Sequence, residues 1–503
     1  MAKRALKSNS HFIGIFTLPD GQSVMGNLQL ESADTVLNIY SEKEFKEIEF
    51  GACIKGVAST GEHLTLIDCY TLGVGPSGSK DNGIRYHAKI FPHYVTIGGN
   101  HIIPDQHQIQ SISFTTTDLK TIFHDSDSFG YVYNAKSKLD SILKEQYKNR
   151  EIKIGELPVL LYFTGKYQIS EINTLFGKIS ISHSPRYTTG GPEGVSIKNR
   201  LVVSVEPERP MTIDGALDCI HSMHSFLSMA AGRFQGVTHI HAVTTQLIGD
   251  RPDVQVVHPK FPWSASKNSR TAPHPRDVPL DPIQRQAEFS SVLIDWINRH
   301  NDWKIARARY LGCLRNNEYG PERLVAAANM FDILPARDTP VTTELLPDLA
   351  ETRDACIRMF RNHPNTPDRN NAIASLSRLG KPSLPKKVAH RVSIIDAEIG
   401  DKLLDLQSVA RLSVKTRNYF VHGSSDGFDY QKLEEFVPFL TDTLEFIFSA
   451  SDFIQAGWDA KRWALSPHFG GHSFARFLRE YQPTMTELRK RVPVQSTNAT
   501  NSG

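Results

Sequence analysis

The chain has 503 residues, 40% of them hydrophobic and 22% charged. That length exceeds one compact core and predicts roughly two to four domains of ordinary globular composition. A formal net charge of only +3 excludes a chain that is basic throughout, so any contact with nucleic acid must come from a local cluster.

The five cysteines (Cys53, Cys69, Cys219, Cys313 and Cys356) are odd in number and form no Cys-x-x-Cys pair. They argue for reduced thiols in the cytoplasm, against a disulfide framework and against a zinc–thiolate site. Met1-Ala2-Lys3-Arg4 does not open a signal peptide, and no run of about 18 apolar residues predicts a membrane span.

In chain order, residues 11 to about 210 read as short strands. His11 to Leu18, Val24 to Leu30, Val36 to Tyr40, Ile54 to Ala58 and Leu64 to Tyr70 come first, separated by turn signals such as Pro19-Asp20-Gly21 and Ser59-Thr60-Gly61. Arg85 to Phe91, Tyr94 to Ile97 and Ile109 to Thr115 continue the series. After a polar helix near Ser137 to Lys148 come Val159 to Phe163, Gly177 to His183 and Leu201 to Glu206. Many short strands with turn chemistry between them predict a sandwich-like β half. Met211 to Ala231 reads as a helix, followed by strands at Val237 to Leu247 and Val254 to His258.

Two histidine groups stand in this half. His221 and His224 are one helical turn apart, and His239 and His241 alternate, which puts them on one face of a strand. Together the four are a conceivable metal set. The default is four packed or surface histidines, because no cysteine supports them and the sequence does not bring the helix to the strand. No metal and no cofactor are expected.

Pro259, Pro262, Pro273, Pro275, Pro279 and Pro282 interrupt regular structure. The expected organisation is a β-rich region over residues 1–258, a proline-rich connector over 259–281, a helical domain over 282–491 and a disordered tail over 492–503. Within the helical half, Phe289, Val292, Leu293, Trp296 and Ile297 mark one helix. Further helices are expected at Trp303 to Leu314, Pro321 to Leu334, Leu345 to Phe360, Arg369 to Leu379, Lys402 to His422 and Tyr430 to Ala456. Pro438 should bend or restart the last of these.

The helix from Lys402 ends in Arg417-Asn418-Tyr419-Phe420-Val421-His422-Gly423. Leu403, Leu406, Ala410 and Val414 give it an apolar face, Gly423 supplies a left-handed stop and Ser424 to Gly427 read as a turn. One helix end therefore carries a permanent cation, an amide and a titratable base, a set suited to a phosphodiester. Spacing alone is weak, because four to six residues also separate Arg and His at Arg4/His11, Arg251/His258, Arg358/His363 and Arg462/His468. On an ideal helix Arg417 and His422 point about 140° apart, so one copy does not converge on a point. Nearby, Lys381, Lys386, Lys387, His390 and Arg391 cluster around Pro382 and Pro385 as an irregular basic segment. Lys381, Lys386, Lys387 and Arg391, with Lys415, are the candidate RNA contacts.

A β-rich half followed by a helical half ending in R-N-Y-F-V-H-G resembles the ApeA-type anti-phage proteins with a C-terminal HEPN domain. The resemblance runs from about Phe289 to Phe453 and includes the Phe289…Trp296…Trp303 run and Glu322-Arg323-Leu324. It implies an α+β multidomain fold ending in an all-α HEPN bundle. It also implies a metal-independent endoribonuclease in which Arg417, Asn418 and His422 form the Arg-polar-x-x-x-His motif. Two subunits then pair to complete the site, RNA (plausibly tRNA) is the substrate class, and a phage-derived trigger leads to abortive infection. Where relatives often carry Glu in the earlier helix, this chain has Met330-Phe331-Asp332, and Asp332 stands as the possible orienting acid. On the residues alone an alternative stays open: a non-catalytic helical module that binds RNA or dimerises, joined to a ligand-binding β-sandwich half.

Overall fold

The computed structural model describes residues 10–30, 35–45, 48–49, 51–77, 85–188, 190–259, 271–340, 345–423 and 428–492. Packing divides the chain into two compact units: Met1–Ser269 with Leu280–Asn298, and Arg270–Pro279 with Arg299–Gly503. Among the described residues no helix is long and apolar enough to cross a membrane.

The first unit begins with six antiparallel strands: β1 (Ser10–Thr17), β2 (Ser23–Leu30), β3 (Val36–Ser41), β4 (Ala52–Ala58), β5 (His63–Ser77) and β6 (Arg85–Gly98). Their order is β6-β3-β2-β1-β4-β5, and β5 pairs again with β6, so the six close into a barrel. Alternation of apolar residues drives the closure, since every second side chain points inward. Phe16, Leu28, Leu37, Ile39, Ile54, Leu64, Leu66, Ile90 and Val95 fill the interior. Gly56 makes room for Phe16, whose ring would lie 2.4 Å from a Cβ placed there.

The rest of the unit contains β7 (Ile109–Thr116), α1 (Leu119–Ile122), β8 (Phe129–Tyr133), α2 (Lys136–Gln146), β9 (Val159–Phe163), β10 (Gln168–Thr174), β11 (Gly177–His183), β12 (Arg186–Thr188), β13 (Ser196–Lys198), β14 (Leu201–Glu206), α3 (Ile213–Ala231), β15 (Val237–Ile248) and β16 (Arg251–Pro259). The long β6 joins the two parts. Its first half pairs with β3, as Tyr86 does with Ser41, and its second half pairs with β16, as Ile97 does with Val256. From β16 the sheet continues through β15, β7, β14, β11 and β10, while β8–β9 and β12–β13 form separate ribbons. Among the described residues, the expected β-rich half is therefore built on one continuous twelve-stranded sheet, part of it closed on itself, with two small ribbons beside it.

Helix α3 ends at the expected Ala231 but starts at Ile213, after the expected Met211. Thr212 accepts from the Gly215 amide, and Gly232 ends the helix in the left-handed region at φ 66°. α4 (Gln286–Asn298) packs in this unit, not with the helical half as its place after the proline segment suggests. The reason lies in its apolar face: Phe289 meets Phe123 and Phe226 at ring distances of 5.3 and 5.8 Å, and Trp296 meets Phe226 at 5.4 Å.

Among the described residues, the histidine groups form no cluster that could hold a metal ion. His224 is buried and bonds the Gln235 carbonyl at 2.7 Å, and burial pushes its pKa down to about 4. His239 and His241 do not share a face. A β-bulge between Thr238 and His241 puts His239 at φ 56°, where its side chain is exposed, while His241 is buried.

The second unit holds α5 (His300–Arg315), α6 (Pro321–Asp332), α7 (Pro347–Arg361), α8 (Pro367–Leu376), α9 (Leu384–Ile399), α10 (Leu406–His422), α11 (Val437–Gln455), α12 (Ala460–Ala464) and α13 (Ser473–Arg491). α9 occupies much of the expected irregular basic segment, because Pro385 falls in its first turn, where proline is tolerated. Pro438 likewise restarts the chain at the head of α11. α10 begins at Leu406, and a short 3-10 turn at Gly400–Lys402 stands where the helix was expected to begin. The expected turn at 424–427 and the tail from 493 lie outside the described residues.

α11 runs through the core against α6, α9, α10 and α13. Its buried Asp452 accepts from Arg299 at 2.5 Å and from Arg307 at 3.1 Å. Burial pushes this carboxyl up, but Arg307 and Arg299 outweigh it and hold the pKa below the ordinary carboxylate range. The guanidiniums of Arg299, Arg307 and Arg391 also lie over the Trp303 ring at 5.1, 5.3 and 5.1 Å.

Candidate active site

The site is built on α10. Leu406, Val409, Ala410, Ser413 and Val414 recur at helical spacing and are buried against α6, α9 and α11. Asp405 precedes the helix in the left-handed region at φ 63°, where Arg489 pairs with its carboxylate. At the other end Gly423 adopts φ 83°, and its amide bonds the Tyr419 carbonyl at 3.0 Å. The residue types at both ends thus fix where the motif lies along the helix.

Arg417 is half-buried. Its Nη2 donates to Asn329 Oδ1 at 2.7 Å and its Nη1 to Asn418 Oδ1 at 3.0 Å. Its Nε is buried without a protein partner, a cost of the kind found at functional sites. Asn418 thus orients the guanidinium from the adjacent position. His422 closes the helix with its side chain exposed, and no hydrogen bond joins it to Arg417. One chain therefore presents an aimed guanidinium and, separately, an open imidazole, in keeping with the angle between them on an ideal helix.

Asn329 is the contact that sequence reasoning missed. It sits one turn before Asp332 on α6, half-buried beside Ala328 and Met330. A polar residue on that largely buried stretch was the available signal. Asp332 itself is exposed at the end of α6 and faces Lys387. The Lys387 ammonium donates to its carbonyl at 2.7 Å and lies 4.0 Å from its carboxylate. Asp332 thus joins α6 to α9 by an ion pair.

The basic candidates separate by exposure. Lys381, Lys386 and Lys415 are exposed, and Lys415 lies over the Phe428 ring at 5.3 Å. Lys387 is tied to Asp332. Arg391 leaves the candidate set, because it is fully buried and donates to Ser451 Oγ at 2.9 Å and Gln455 Oε1 at 2.6 Å. Its place on the inward face of α9 explains this, since Val388, Val392 and Ile395 share that face.

Aromatic rings hold the returning chain against the end of α10. Tyr430 stacks on Tyr419 at 5.4 Å with planes 13° apart and meets Phe420 edge-on at 4.9 Å. Burial, with Glu434 and Tyr419 adding to it, raises the Tyr430 phenol above its ordinary value.

Residues 11–296 match the family model described as ApeA N-terminal domain 1. The chain belongs to the ApeA family. Residues 325–462 match a second family model, Apea-like HEPN, so this ApeA-type protein carries a C-terminal HEPN domain that includes Asn329, Arg417 and His422. The first ApeA match ends at 296, close to where packing separates the units after Asn298. No curated protein and no solved structure matches the chain.

Proposed function

We propose that the chain is an anti-phage, metal-independent endoribonuclease, with RNA, plausibly tRNA, as substrate. The observation that carries this reading is the end of α10, where Arg417 is aimed by Asn329 and Asn418 and His422 stands open at the helix terminus.

The RNA 2′-hydroxyl attacks the adjacent phosphorus, forming the 2′-O–P bond and breaking the P–O5′ bond. Histidine exchanges a proton near neutral pH, so one imidazole takes the 2′-hydroxyl proton and a second, protonated imidazole gives one to the leaving 5′-oxygen. Arg417 offers forked donors to the charge that builds on the phosphoryl oxygens. Two imidazoles and a convergent guanidinium call for two copies of the chain, with α10 of each copy contributing to one site. The products are a 2′,3′-cyclic phosphate and a 5′-hydroxyl end. The exposed Lys381, Lys386 and Lys415 serve as RNA contacts.

One observation favours the rival reading, in which the helical unit only binds RNA or dimerises: Arg417 also clamps α10 to α6 through Asn329. Induced expression of the wild type beside His422→Ala, with sequencing of cellular RNA ends, separates the two. New ends that depend on His422 support the nuclease, and identical ends in both strains sink it.

A further inference from the structure

The first unit contains a basic cavity of about 270 Å³ with no carboxylate in its wall. Its lining includes Thr116 and Thr117 at the end of β7, Lys120 on α1, Asn199 and Arg200 before β14, and His239 at the β15 bulge. We propose that this cavity binds the phosphate of a small phosphomonoester.

The polar atoms of the wall are left unsatisfied in a way that an oxyanion would correct. Arg200 Nε and Thr116 Oγ1 are donors that are buried and have no protein partner. The guanidinium makes one long bond, from Nη2 to Ser184 Oγ at 3.3 Å. Arg200 as a whole is half-buried, and an arginine donor shielded from water is normally answered by a carboxylate. Asp118, between Thr117 and Leu119 of the wall, is taken: Arg233 donates to both of its oxygens at 2.6 Å, and Gln235 adds a bond at 2.7 Å.

Charges of one sign crowd the site. Burial, with Arg186 nearby, lowers the Arg200 pKa. Partial desolvation, with Arg200 and Arg186 adding to it, lowers His239. An anion among these groups relieves both effects. The geometry of the bulge matters here, because the positive φ of His239 turns its ring out of the β15 alternation and into the cavity wall.

The volume sets the ligand class. It exceeds what a bare phosphate fills and lies just below the roughly 300–1,000 Å³ of typical ligand pockets. No aromatic ring other than the His239 imidazole lines it, so no tyrosine, phenylalanine or tryptophan platform selects a base. Recognition therefore centres on the phosphate, through Arg200 and Lys120, with the unpartnered Thr116 hydroxyl beside them.

Calorimetric titration of the full chain tests this at fixed ionic strength. The probes are inorganic phosphate, ribose 5-phosphate, AMP and, as the uncharged control, adenosine. Saturable binding is expected for ribose 5-phosphate and AMP, weaker binding for inorganic phosphate, and none for adenosine. Arg200→Gln should weaken ribose 5-phosphate binding by about tenfold or more, the loss of one charge-assisted contact. Lys120→Ala, at an exposed position that leaves the fold undisturbed, should weaken it in the same direction, and Lys198→Ala, outside the cavity, should not. Binding of adenosine as tightly as AMP would overturn the proposal. So would the absence of saturable binding at millimolar ribose 5-phosphate, or wild-type affinity in both the Arg200 and Lys120 variants.

Discussion

Arg417 Nη2 lies 2.7 Å from Asn329 Oδ1, so one hydrogen bond ties the last turns of α10 to the last turn of α6. The bond leaves the guanidinium its full charge and fixes where that charge points. Asn329 acts through Arg417 and is a positioning residue. Asn329→Ala should lower kcat for RNA cleavage by roughly ten- to a hundredfold with a smaller change in KM, because misaimed groups lose rate before they lose binding. Unchanged kcat in a folded variant would remove Asn329 from the site.

Replacing His422 by Ala should abolish cleavage with little effect on stability. Its side chain is exposed, and such changes usually stay within about 0.5 kcal/mol. Loss of a proton-transfer group costs on the order of a hundred- to ten-thousandfold in rate. Arg417→Ala should lose roughly a hundred- to a thousandfold. Arg358→Ala and His363→Ala are matched controls at exposed positions with the same spacing, and both should cleave normally. Cleavage should survive EDTA and leave a 2′,3′-cyclic phosphate. Inhibition by EDTA, or equal damage from the control pair, contradicts the assignment.

Mixing wild-type subunits with His422→Ala subunits tests whether two copies build one site. After exchange, a mixed pair holds one imidazole where cleavage needs two, so activity should fall more steeply than the fraction of wild-type subunits. Sedimentation should show the second unit self-associating. A strictly monomeric protein that cuts RNA at the wild-type rate rules the shared site out.

Asp452 should be the most sensitive polar position in the helical unit. Asp452→Asn leaves Arg299 and Arg307 buried without their counter-charge, which costs about 3–5 kcal/mol. The Asp452 pKa is lower in the folded state than in the unfolded one. Its stabilising contribution is therefore present above the unfolded carboxylate value and is lost as pH falls through the folded one. Urea unfolding across acid pH measures this, and the Asn variant should lack that part of the slope.

His224 gives the first unit a different pH response. Its pKa is about 4 when folded, against 6.5 for the free group, so the unfolded chain takes up the proton first as pH falls. The contribution is complete above pH 6.5 and shrinks towards pH 4, by about 3 kcal/mol in all. Amide-exchange protection of α3 should fall over that window in the wild type and stay flatter in His224→Gln. Equal slopes would place the pH dependence elsewhere.

The sequence by itself determined what depends on neighbours along the chain. The helical face of Leu406, Ala410 and Val414 and the Gly423 stop are local chemistry, and each stands where the residues put it. The two halves and their secondary-structure classes were legible for the same reason, and so was the position of Arg417, Asn418 and His422 at a helix end. Tertiary structure alone decided which side chains meet across the chain. Asn329 is 88 residues from Arg417, and no periodicity links them. Arg391 looks like a surface cation in sequence, but the inward face of α9 buries it. α4 follows a proline-rich segment yet packs in the first unit, because its aromatic face is matched by Phe123 and Phe226. His239 and His241 alternate in sequence, and one bulged residue sets them on different faces. Burial and long-range pairing are properties of the packed chain, and a pattern of residue types constrains them only where its period matches the surface that finally covers it.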